Sequence, residues 1–167
     1  MAGALIVTAE IAPFDLSWLE ALRRAHYPPE RNQVPAHLTI FRAIPPSSES
    51  ELRSRVARIV RQGAPTARIA GLLDLGDGVA FRIVSPDLDR IREELARDLH
   101  GLLSAQDSGG WVPHITIQNK APPKSARALK QSLESSFEPR ALRVTGLSIH
   151  RYLGGPWEPV ASYSFRS

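Results

Sequence analysis

Two histidines and two threonines carry the chemistry this chain can offer. His37-Leu38-Thr39-Ile40 returns 77 positions later as His114-Ile115-Thr116-Ile117. A proline precedes each motif, Pro35 or Pro113, and a proline pair follows each at the same offset, Pro45-Pro46 and Pro122-Pro123. With five His and five Thr in 167 residues, a matched pair with matched flanks is a repeated unit rather than an accident of composition. In a β-strand residues i and i+2 share a face, so each His lies beside its Thr. Leu38 and Ile40, like Ile115 and Ile117, then form the buried side and fix the register. Two such strands brought together present two imidazoles and two hydroxyls to one substrate group.

The group that suits this set is a phosphate. Displacement at phosphorus needs a base on the attacking oxygen, an acid on the leaving oxygen, and donors on the charged non-bridging oxygens. Imidazole titrates near neutrality, so one ring can be neutral while the other is protonated, and no metal is required. The competing readings are two ordinary strand histidines, or a binding module that captures an RNA end or a nucleotide phosphate without turning it over. A binder needs the donors but not a matched acid and base.

These motifs resemble those of the 2H phosphoesterases, whose two halves each carry a His-x-Thr/Ser-hydrophobic sequence. The likeness covers nearly the whole chain. It is nearest to the bacterial branch of 2′-5′ RNA ligase-like proteins and cyclic nucleotide phosphodiesterases, which carry a stretch like Tyr152-Leu153-Gly154-Gly155-Pro156-Trp157-Glu158. The resemblance implies an α+β fold of two pseudo-symmetric lobes, mainly antiparallel sheet with helices on the outer faces and a central cleft. It also implies a metal-independent site without a cofactor, acting on 2′,3′-cyclic or 2′-5′-linked ribonucleotide phosphates, by hydrolysis or reversible ligation. By motif position, His37 and His114 are the acid/base pair and Thr39 and Thr116 the phosphate donors. The family analogy leans towards His114 as the base and His37 as the acid, roles the pseudo-symmetry leaves exchangeable.

Composition is consistent with a single domain over residues 1–167, of which 43% are hydrophobic. Cysteine is absent, which removes disulfides and thiolate chemistry. The N-terminus lacks the basic start of a signal peptide and no apolar run approaches membrane-spanning length, so a cytoplasmic monomer without a membrane or obligate protein partner is expected. The net charge of +4, from 18 Arg and 3 Lys against 17 acids, suits a small nucleotide phosphate or an RNA terminus better than a long duplex.

Both halves read as parallel sentences. A strand over 5–11 leads to a helix capped by Asp15, the first motif strand over 36–44, and a helix begun by a Ser48/Glu51 capping box. A hairpin over 68–73 and 79–84 follows, turned at Gly76-Asp77-Gly78. Ser85-Pro86 then opens a helix, the second motif strand covers 114–120, and a helix through Leu129 and Leu133 precedes strands near 141–152 and 158–166. Candidate substrate-binding residues are Phe41, Trp111, Tyr152 and Trp157 as stacking surfaces, with Lys120 and Arg151 as phosphate partners. Strand parity puts Phe41, four residues after its His, and Lys120, six after its own, on the catalytic face, and sends Arg42 to the other side unless the strand bulges. His26, His100 and His150 are read as ordinary.

Overall fold

The computed structural model describes Gly3 to Ser167. In chain order the elements are β1 (Leu5–Ile11), α1 (Pro13–His26), β2 (Leu38–Ile44), α2 (Glu49–Ile59), β3 (Thr66–Asp74), β4 (Val79–Val84), α3 (Pro86–Asp98), α4 (Ala105–Ser108), β5 (His114–Gln118), α5 (Pro123–Glu134), β6 (Arg140–Tyr152) and β7 (Trp157–Ser164). The repeat seen in the motifs is structural: β1-α1-β2-α2 and β4-α3-β5-α5 each pair the motif strand with the strand that opens its half.

All seven strands join one antiparallel sheet in the order β2-β1-β6-β3-β4-β5, with β7 added to β6. The motif strands β2 and β5 therefore stand at its two ends. The long β6 ties the halves, since residues 140–143 pair with β3 while 144–151 pair with β1. Helices cross between halves as well: α1, from the first, packs on β5, and α4, from the second, packs on β2. The result is α+β, one mainly antiparallel sheet with helices against it.

Amphipathic spacing explains the helices. Leu88, Ile91 and Leu95 of α3 and Leu52, Val56 and Ile59 of α2 are the buried stripes, joined in the core by Ile115 and Ile117. Ser85 caps α3, its hydroxyl accepting from the Leu88 N–H at 3.1 Å, with Pro86 in the first turn. Two expected caps differ. Helix α1 starts at Pro13, so Asp15 lies inside its first turn, buried, where it accepts from Arg140 Nη2 (3.1 Å) and the Arg143 N–H (2.9 Å) and pins α1 to β6. Ser48 makes no side-chain cap bond, because a short 3₁₀ turn over Pro46–Ser48 leads into α2. At the β3–β4 turn a Cβ on Gly78 would lie 2.0 Å from the Gln118 carbonyl oxygen, so only glycine lets the hairpin close on the end of β5.

Candidate active site

The two ends of the sheet meet across a cleft of about 560 Å³ lined by His37, Thr39, His114 and Thr116. The two imidazoles are held identically. Nδ1 of His37 lies 2.8 Å from the Pro35 carbonyl oxygen, and Nδ1 of His114 lies 2.8 Å from that of Val112, in each case two residues back. A carbonyl only accepts, so Nδ1 carries the proton and Nε2 is left for the cleft, as acceptor when the ring is neutral and donor when it is charged. The prolines before each motif hold these segments extended, which places that carbonyl under its ring.

Each threonine is braced from the opposite half. Trp111 Nε1 donates to the Thr39 carbonyl at 3.1 Å, and Arg92 Nε donates to the neighbouring Ile40 carbonyl at 3.2 Å. Arg23, 1% exposed, donates to the Thr116 carbonyl at 2.7 Å, to the Val34 carbonyl at 3.1 Å, and to Asn32 Oδ1 at 3.2 Å. Burial lowers the pKa of both arginines, and both stay charged at neutral pH.

Both motif strands slip register at the residue after their Thr. Thr8 faces Thr39 while Val7 faces Phe41, and Ala80 faces Thr116 while Val79 faces Gln118, so each motif strand gains one residue over its neighbour. Such a bulge inverts the parity of the residues just beyond it, and β2 slips a second time between Phe41 and Ile44. The residue four after each His, Phe41 or Gln118, turns into the interior, and the residue five after it, Arg42 or Asn119, lines the cleft. The expectation that Phe41 shares the face of His37 and Thr39 is thereby corrected: it is fully buried, with the Arg92 guanidinium 5.1 Å from its ring centre. The second slip of β2 is stapled by Asp107, whose carboxylate accepts from the Arg42 N–H (2.9 and 3.1 Å) and the Ala43 N–H (2.9 Å).

Among the remaining candidates, Tyr152 and Trp157 line the cleft. Trp111 does not, being spent on bracing Thr39. Lys120 is also corrected. Strand β5 stops at Gln118, Lys120 takes a left-handed backbone (φ 57°) and does not line the cleft, and its ammonium lies 4.0 Å from the carboxylate of Asp77, which does. Arg151 is held by Glu49 and by Glu158 (3.5 Å) and stands off the lining.

The two rings differ in their surroundings. His37 packs on Trp157, ring centres 4.6 Å apart, and Trp157 packs in turn on His150 at 5.4 Å. Burial pulls the His37 pKa down to about 4, outweighing the Pro35 carbonyl, and positive Arg23, His150 and His114 add to the depression. His37 is therefore neutral at pH 7. His150, also depressed by burial and partly restored by Glu10, belongs to the site region although its sequence neighbourhood carries no motif. The signal for it is strand parity, since His150 shares the face of Tyr152. Among the described residues no group of three His, Asp or Glu is placed to hold a metal ion, and no helix is long and apolar enough to cross a membrane.

Residues 9–156, spanning both motifs and the strand that ties the halves, match the profile of the 2′-5′ RNA ligase superfamily. The chain belongs to this superfamily, the 2H phosphoesterases. Solved structures share its fold. TT0787 of Thermus thermophilus is 19% identical, with 98% of each chain covered and a TM-score of 0.68. LigT of E. coli complexed with 3′-AMP is 19% identical, with 100% of each chain covered and a TM-score of 0.62. A crystal structure described as a phosphoesterase is 19% identical, with 99% of each chain covered and a TM-score of 0.61. No curated protein matches.

Proposed function

We propose that this 2H phosphoesterase cleaves 2′,3′-cyclic or 2′-5′-linked ribonucleotide phosphates by acid–base catalysis between His37 and His114. The observation that carries the reading is the pair of matched Nδ1–carbonyl bonds, which leave an Nε2 of each ring for one cleft. A site that only binds phosphate has no need to set two tautomers.

His37, whose proton-accepting form is favoured by its burial against Trp157, is the base, the reverse of the family-based lean. Its Nε2 takes the proton of the attacking water as the new P–O bond forms. His114 in its protonated form gives a proton to the ribose oxygen as the old P–O bond breaks, and Thr39 and Thr116 donate to the non-bridging oxygens. Ligation is the same displacement on a 2′,3′-cyclic phosphate with a 5′-hydroxyl in place of water: His37 takes the hydroxyl proton as the new P–O bond forms, and the released ribose oxygen takes a proton from His114. LigT has been crystallised with 3′-AMP, NADP+ and ATP, which supports a nucleotide ligand for this cleft.

The test is a screen of 2′,3′-cyclic nucleotides and 2′-5′ dinucleotides followed by phosphorus NMR, in EDTA. Product that survives chelation is expected. Thermal stabilisation growing as RT ln(1 + [L]/Kd) with no product formed would make the protein a binder instead.

A further inference from the structure

The His37–Trp157 stack has a second cavity behind it. It measures about 410 Å³ and shares both residues with the cleft, so the stacked pair is the partition between them. The floor of both is one sheet face. Thr39, Thr8, Ser148 and Ser162 form a cross-strand row through β2, β1, β6 and β7, with Ile6 opposite His150 and Trp157 opposite Tyr152 further along. Ile6 and Tyr152 lie on the cleft side, while Thr8, Glu10, Ser148 and His150 lie on the far side.

That far floor is polar and organised. Thr8 and Ser148 are each 4% exposed. The Ser148 hydroxyl donates to the Glu10 carboxylate and lies 3.0 Å from Ser162 Oγ, and Thr8 Oγ1 lies 3.3 Å from His150 Nε2. Among the described residues the other Glu10 oxygen has no hydrogen-bond partner. Apolar Ile11, Pro13 and Leu16 stand around this floor. Aromatic and aliphatic walls over an edge of acceptors suit a flat heteroaromatic ring carrying N–H donors. They do not suit a second phosphate, which the Glu10 carboxylate repels.

We propose that this groove is a subsite for a second nucleoside, so that the preferred substrate is a diester joining two nucleosides across His37. One nucleoside lies in the cleft beside Tyr152, Arg42 and Asn119. That nucleoside leaves with the proton of His114, while the other, attached through the ester oxygen that is not displaced, passes behind the stack and offers its base N–H groups to Glu10. A cyclic mononucleotide fills the cleft and leaves the groove empty. This rests on the phosphoesterase reading above and names its substrate class.

The experiment compares 2′-5′-linked diadenosine monophosphate with 2′,3′-cyclic AMP on the wild type, Glu10→Gln and Leu16→Trp, the last filling the groove. Both variants should lose about tenfold or more in kcat/KM on the dinucleotide, the scale of one lost base contact, and stay within about twofold on the cyclic nucleotide. Equal losses on both substrates, or none on either, would overturn the subsite. Backbone amide shifts of the wild type measure binding separately. The dinucleotide should move residues 8, 10, 148 and 150, and 2′,3′-cyclic AMP should not. Those shifts without turnover would keep the groove and remove the hydrolytic reading, whereas turnover of the dinucleotide with silent amides there would remove the groove and keep the hydrolysis.

Discussion

The two motif regions share their sequence, their tautomer locks and their bulges, yet they are not equivalent. Around His37 lie Trp157, His150 and the covered floor of β1 and β6, which leave the ring half-buried and lower its pKa. Among the described residues no such stack covers His114. Beyond the bulges the first strand turns Phe41 into the core, where it packs fully, while the second turns in Gln118, whose carboxamide oxygen is buried with no partner among the described residues. Repetition supplies two of everything the chemistry needs. The neighbours, which are not repeated, set the two imidazoles apart.

Substitutions can break this comparison. The largest effect should come from the motif residues. His37→Ala and His114→Ala should each lose about 10²–10⁴ in kcat/KM, and the double variant little more than the worse single one, because base and acid act in one step. Thr39→Val or Thr116→Val should lose about 10- to 150-fold, the worth of one donor to a charged oxygen. Near-normal turnover in either His variant would return both residues to a structural role.

A smaller effect sharpens the asymmetry. If His37 is the base, kcat/KM falls as pH drops through its free-enzyme pKa of about 4, since protonation there abolishes the acceptor. Trp157→Ala readmits water to the ring and lifts that pKa towards its ordinary value, so the acidic limb should move to higher pH. A pH–rate profile with an unmoved limb would place the asymmetry elsewhere. The smallest effect concerns stability alone. Gln118→Met keeps the length of the side chain and removes the orphaned oxygen, which should stabilise the fold by about 1–3 kcal/mol, read as a raised Tm with kcat unchanged.

What the sequence disclosed follows from the range of the forces involved. The motif faces, β1, the β3–β4 hairpin and the Ser85-Pro86 start are local patterns, and the structure places them as expected. The fates of Phe41, Lys120 and Asp15 are not legible in the sequence. Phe41 and Arg42 exchange faces because of a slip against β1 and a staple from Asp107, 65 residues away. Asp15 reads locally as a cap because its partners, Arg140 and the Arg143 amide, lie more than a hundred residues later. Trp111 stands out in the sequence as a stacking surface, since nothing local reveals that its indole reaches across to Thr39.

The crossed braces have a consequence for how this protein fails. Strands β2 and β5 are edge strands of the sheet, and an open strand edge templates pairing with other chains. Arg92, Trp111 and Asp107 occupy the backbone groups of one edge, and Arg23 those of the other. Because each edge is guarded by side chains of the opposite half, a fluctuation that parts the halves strips both guards at once. Catalytic alignment and protection from self-association are then lost together, and the onset of aggregation on heating should coincide with the onset of inactivation.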